Sequence, residues 1–256
     1  MTERRVGEIT DVLRRVTSGT GRGEIEQDAE ELMRTITPRE LSLAEQELLE
    51  EGIEPEELGH LCEVHLRALS DEIKGFRAEL PAGQPVDTLM AEHEVILEAL
   101  QELEKVNEDV QQADALRDEH AERLEHIATH LVEAELHHQR EEEALFPQVE
   151  QRGVTGPPRT MRLEHDDLRP RKHELLELGQ RSDSMPFADF KERLNDLTTY
   201  LVFNLRDHIF KEDNILYPAA VEVVTDPTVW DRVKAQCDEI GYSCFTPEAE
   251  KAVPAP

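Results

Sequence analysis

The chain has 256 residues, 38% of them hydrophobic, only 4% aromatic and 34% charged. Any core must therefore come mainly from Leu, Val, Ile and Ala, and the balance fits long solvated helices better than a sandwich or barrel. The formal net charge of −30 at pH 7 repels phosphate backbones and anionic lipid heads, so nucleic acid and membrane surfaces are excluded as expected partners. No apolar run approaches the ~20 residues that span a bilayer, and Met1–Arg5 leads into an amphipathic stretch rather than an apolar signal core. Cys62, Cys237 and Cys244 form an odd, scattered set with no disulfide framework, which together with the missing signal predicts a cytoplasmic location.

Residues 5–80 read as a compact set of short helices. Thr37-Pro38-Arg39-Glu40 places an N-cap, a first-turn proline and a capping-box glutamate in order, opening a helix that stops at Gly52. Glu54-Pro55 opens another that runs through Leu61-Cys62-Glu63-Val64-His65, and Pro81-Ala82-Gly83-Gln84-Pro85 is the best linker candidate. From Asp87 four long helical patterns follow, over roughly 88–110, 114–146, 159–179 and 187–217. The breakers between them are the polar Asn107-to-Asp114 stretch, Gly153-Val154-Thr155-Gly156-Pro157-Pro158 and Arg181-Ser182-Asp183-Ser184-Met185-Pro186. Short connections make neighbouring helices antiparallel, so an all-α, up-down four-helix bundle is expected. One more helix is predicted near Trp230 to Ile240, giving expected domains of 1–80, 86–222 and 223–256.

Four of the eleven histidines form a repeat: His93 and His137 on the first two long helices, His165 and His208 on the last two. The separations are 44 and 43 residues, and each second member is followed by a carboxylate and then an aromatic-proline pair, Phe146-Pro147 or Tyr217-Pro218, expected to stop the helix. An internal duplication of helix pairs accounts for this. Residues four apart on a helix differ by ~40° in direction and ~6 Å in rise, so His137 with Glu141, and His208 with Glu212, each project an imidazole and a carboxylate to one side. With His93 and His165 the set offers four nitrogens and two carboxylates. Mixed imidazole and oxygen ligation suits iron, and a carboxylate can bridge two metals. Glu142, four after His138, competes with Glu141; the matched distance to the aromatic-proline pair favours Glu141. His126 and His130 lie ~16 and ~10 Å before His137 along the helix, too far for one metal pair, and His173, beyond Pro170, reads as structural for the same reason.

The segments His137-His138-Gln139-Arg140-Glu141-Glu142-Glu143-Ala144-Leu145-Phe146-Pro147, Glu164-His165 and His208-Ile209-Phe210-Lys211-Glu212-Asp213-Asn214-Ile215-Leu216-Tyr217-Pro218 resemble the hemerythrin-like, or HHE cation-binding, family over roughly 86–220. The resemblance implies a hemerythrin-type bundle holding two oxo- or hydroxo-bridged iron ions on His93, His137, Glu141, His165, His208 and Glu212. It also implies a protein that binds or senses oxygen or nitric oxide, or helps repair iron centres. True hemerythrins add a second histidine one turn along the third helix; Arg169 stands there, which argues against simple reversible oxygen carriage. Ile36-Thr37-Pro38-Arg39-Glu40, Ala44 to Gly52 and Leu61 to His65 resemble a domain of unknown function found ahead of such bundles, and this domain is the expected surface for a protein partner.

Three functions compete on these residues. A di-iron sensor or gas-binding module is favoured over an iron-handling or iron-sulfur-centre repair protein. A di-iron oxidase or peroxidase-like enzyme of the ferritin kind needs Glu-x-x-His on two helices of the bundle; Glu135-Leu136-His137-His138 supplies one copy and no second occurs on the third or fourth long helix, so an enzyme is disfavoured. Cys62 and His65, three apart, offer a metal or haem contact or else a buried thiol beside a hydrogen-bonded imidazole. Cys237 and Cys244 offer a redox disulfide or else two free thiols.

Overall fold

The computed structural model describes residues 80–246 apart from Ala82, and before them residues 6–7, 9–11, 14, 40, 44, 47–48, 51 and 76–77. Cys62 and His65 lie outside the described residues. Every regular element among the described residues is helical, and no helix among them is long and apolar enough to cross a membrane.

Helix α1 spans Pro85–Gln112, α2 Asp118–Glu133, α3 Glu135–Arg140 and α4 Phe146–Glu150. Helix α5 spans Gly156–Gln180, α6 Phe187–Lys211, α7 Tyr217–Val223 and α8 Pro227–Ile240. The expected linker is short: Gly83 takes φ 76°, a backbone that L side chains avoid, and Pro85 opens α1 in its first turn, where a missing N–H is tolerated. This is why α1 starts three residues before the expected position 88.

The chain divides into two compact units. One comprises Met1–Pro81, Leu145–Met161 and Lys211–Asp231; the other comprises Ala82–Ala144, Arg162–Phe210 and Arg232–Pro256. In the first, Val6, Ile9, Ala44 and Leu48 are buried, and α4 packs on α7 through a buried set that includes Phe146 and Tyr217. The Trp230 indole donates to the Val224 carbonyl at 2.8 Å, tying the start of α8 to the end of α7.

The second unit is the bundle. Its contacts run in a closed ring with residue numbers rising on one helix as they fall on the next, so every neighbour is antiparallel. Between α1 and the α2–α3 arm, His93 meets His137, and Arg123 reaches Asp109 at 3.3 Å. Between that arm and α5, His138 stacks on His165 and Glu135 lies 3.5 Å from the Lys172 ammonium. Helix α5 meets α6 through Asp167–Tyr200 and Glu174–Arg193, and α6 returns to α1 through Arg206, 2.5 Å from Glu104, and Lys191, which donates to the Gln111 carbonyl at 2.7 Å. That last bond satisfies a carbonyl left open at the C-terminus of α1.

The apolar spacing explains the ring. Ile96, Leu100, Leu103 and Val110 on α1 face Leu194, Leu197, Leu201 and Leu205 on α6 in one continuous core, joined by Leu124, Ile127 and Leu131 on α2 and Leu168, Leu175 and Leu178 on α5. Steps of three, four and seven keep these side chains in one stripe per helix.

Neither aromatic-proline pair stops its helix. Both are preceded by a five-residue π-helical turn, Glu141–Leu145 and Glu212–Leu216, after which Pro147 and Pro218 sit in the first turns of α4 and α7. In a regular helix the proline ring strikes the carbonyl four residues back; a π turn carries its bonds one residue further and relieves that clash. The carboxylate that follows each histidine therefore stands at the first position of a widened turn.

Candidate metal centre

The expected ligands sit where the core stripes run out. His93 is one turn before Ile96, His165 one turn before Leu168, and His208 one turn after Leu205, so each histidine extends an apolar seam and is delivered to the bundle interior by the same periodicity. On the remaining arm the backbone tightens at Ala134, whose carbonyl accepts from the His137 N–H three residues on, at 3.0 Å. Tight turn and π turn bracket His137–Arg140.

His93, His137, Glu141, His165 and His208 are all at most 1% exposed. The Nε2 atoms of His93 and His137 are 3.1 Å apart, and those of His165 and His208 are 3.0 Å apart. Glu141 Oε2 lies between the two pairs, 3.5 Å from His137 Nε2 and 3.6 Å from His165 Nε2. Glu212 is fully buried, four residues past His208 on the π turn that continues α6. His126 and His173 are exposed and His130 half-buried, with His130 against His126 and Phe245.

On His137, His165 and His208 the opposite ring nitrogen meets a carboxylate. His137 Nδ1 is 2.8 Å from Glu92, His165 Nδ1 2.7 Å from Glu142, and His208 Nδ1 2.8 Å from Glu164. An imidazole whose Nδ1–H donates to a carboxylate presents a lone pair at Nε2. For His165 and His208 this aims two lone pairs at each other across 3.0 Å. Two acceptors at that distance repel unless a cation or a proton lies between them, and carboxylate–imidazole–metal chains are the usual setting for such pairs. The donor set thus fits a cation held by imidazole and carboxylate.

Glu92 is the most enclosed of the supporting carboxylates. Burial works against its charge, but the hydrogen bond from His137 and the Arg140 guanidinium outweigh burial and hold the carboxyl down at about 2. Arg140 reaches both oxygens, at 2.7 and 2.6 Å, and Thr246 donates to Oε1. Glu142 is also held below the ordinary carboxylate range: burial opposes this, and His165 and Arg169 prevail. Arg169, at the place where true hemerythrins carry a further histidine, donates to Glu142 at 2.6 Å and to Glu135.

His138 was not among the expected ligands. It stacks on His165 with ring centroids 3.9 Å apart and planes 12° from parallel, and one of its ring nitrogens falls within 4.8 Å of ligand atoms of His165 and His208. Burial, then the neighbouring His165 and the Lys172 ammonium, push its imidazole well below the usual range. Cys237 is buried and Cys244 exposed, and no disulfide joins them.

The supporting glutamates were legible yet unread. Glu92-His93 and Glu164-His165 are the same dipeptide at the same place in the repeat, and each glutamate serves the histidine of the partner helix, Glu92 for His137 and Glu164 for His208. The duplication includes the supports as well as the expected ligands.

Comparison with known families agrees with this geometry. Residues 84–220 match the hemerythrin HHE cation binding domain, and residues 9–75 match a family of unknown function, DUF438. No curated protein matches the chain. With more than half its length in that match, and imidazoles and carboxylates converging inside an antiparallel four-helix bundle, the chain belongs to the hemerythrin HHE cation-binding family.

Proposed function

We propose that the protein holds two non-haem iron ions on His93, His137, Glu141, His165, His208 and Glu212, and that this centre binds or senses oxygen, nitric oxide or redox state in the cytoplasm. The observation that carries the reading is Glu141 Oε2, set between two imidazole pairs at 3.5 and 3.6 Å, the position of a carboxylate shared by two cations. Bound there, an iron pair supplies reversible electron transfer and a position for a small diatomic ligand. The chain's own part is to hold His137, His165 and His208 each in one tautomer through Glu92, Glu142 and Glu164, and to keep the site inside an apolar bundle that limits water. In this reading residues 86–222 form the metal domain, and residues 1–80 offer the surface through which a protein partner receives the signal.

Anaerobic metal analysis of the purified protein, with optical spectra before and after oxygen, tests this. About two irons per chain and near-ultraviolet absorption that changes on oxygenation are expected. Stoichiometric zinc without iron, after expression in iron-replete medium, refutes it. Loss of a single iron to a mild chelator favours an iron-handling role over sensing.

A further inference from the structure

The two halves of the duplicated centre are not equivalent, and the difference comes from far along the chain. Glu164, which supports His208, keeps 26% of its side chain exposed, whereas Glu92, which supports His137, is fully buried. What covers Glu92 is the segment after α8. Thr246 Oγ1 donates to Glu92 Oε1, Ser243 Oγ donates to the Glu133 carbonyl at 3.0 Å, and Cys244 Sγ donates to the Glu133 carboxylate at 2.7 Å. The Arg140 guanidinium lies 4.7 Å from the centroid of the Tyr242 ring, and from α8 itself Gln236 donates to the Glu143 carbonyl at 2.9 Å. Ser243 and Thr246 are each 2% exposed, so this is a packed seat rather than a surface graze.

We propose that the segment Tyr242–Thr246 is a positioning element of the metal centre, with Thr246 acting through Glu92 on His137. This inference rests on the metal-centre reading above. The chemistry runs along one chain of hydrogen bonds. A carboxylate that accepts from an imidazole Nδ1–H makes the Nε2 lone pair a stronger donor. A hydroxyl donating to that carboxylate draws charge from it and weakens the effect. Thr246 therefore moderates how strongly His137 donates, while Glu164 keeps 26% of its side chain in water. The sequence separation of 154 residues between Thr246 and Glu92 makes α8 and its following loop part of the site, although they lie outside the four-helix repeat.

The test is redox titration of the iron-loaded full chain, with iron content and far-ultraviolet circular dichroism measured on every sample. Thr246→Val removes the hydroxyl at constant shape and is expected to lower the midpoint potential, because an unmoderated Glu92 makes His137 the better donor. Glu92→Gln removes the charge and is expected to raise the potential. Thr246→Ser is expected to keep the wild-type value. Thr246→Ala stands in, with the same expected direction as valine, should the valine variant lose helical signal. Opposite signs for the two positions are the signature, since a merely structural role at either would give shifts of one sign or none. A potential unchanged in Thr246→Val and Thr246→Ala, or moved in the direction of Glu92→Gln, overturns the inference while leaving the metal centre standing. A wild-type protein without iron overturns the metal-centre reading itself, and this inference with it.

Discussion

Arg140→Met is the most informative perturbation of the fold around the site. Arg140 is 1% exposed and Glu92 fully buried, and the substitution keeps an aliphatic stem while deleting both guanidinium contacts, at 2.7 and 2.6 Å, and the Nε bond to the Leu136 carbonyl at 3.1 Å. Removing one member of a buried ion pair strands the other charge and typically costs about 3–5 kcal/mol. His137 and Thr246 still face Glu92, which places this case near the lower end, about 3 kcal/mol. For a folding unit of this size each kcal/mol moves the melting temperature by about 2–4 °C, so a fall of roughly 6–12 °C follows. Thermal unfolding by circular dichroism measures it, with iron quantified before each melt because metal loss lowers the midpoint separately by mass action. A variant that keeps its iron and melts within about 2 °C of wild type, against that expectation, would show that water or backbone rearrangement satisfies Glu92 and that the ion pair is not what holds this corner together.

His137→Ala and His208→Ala should each lose iron and melt earlier, whereas His130→Ala, at a half-buried position outside the centre, should do neither; equal iron loss in all three contradicts the assignment. Burial pushes the Cys237 thiol up to about 12, so in a Cys62→Ser background iodoacetamide at pH 8 should label Cys244 and leave Cys237 intact until the chain unfolds. Labelling of both at similar rates in the folded protein counts against the burial of Cys237. Stability should rise with potassium chloride up to molar concentrations, since a net charge of −30 repels itself and the screening length falls from ~10 to ~3 Å between 0.1 and 1 M; a flat melting curve across that range rejects the argument.

The bundle and the convergence of four histidines were readable because one periodicity sets both. The three-and-four spacing that puts Leu100, Leu103 and Leu205 in the core puts His93 and His208 at the ends of the same stripes. The four-residue step alone could not separate Glu141 from Glu142, because both follow adjacent histidines by four; only the matched distance to the aromatic-proline pair favoured Glu141. In the structure the two carboxylates have different tasks, Glu141 between the Nε2 atoms and Glu142 on His165 Nδ1. The π turns were illegible for a related reason: one inserted residue leaves the apolar pattern nearly unchanged, and a proline marks a helix end and a relieved helix interior alike. Thr246 was beyond reach altogether, since it sits in a loop with no repeat partner and its contact is made only by tertiary packing.

The uneven cover of the supporting carboxylates gives the centre a front and a back. Glu142 and Glu164, beside His165 and His208, keep 24% and 26% of their side chains open to water, while Glu92, behind His137, is sealed. Water reaches the supporting carboxylates on the His165–His208 side and not the one behind His137. On the metal-centre reading proposed above, loading, emptying and the answer to a dissolved gas are expected to begin at the His165–His208 pair, with the sealed pair following.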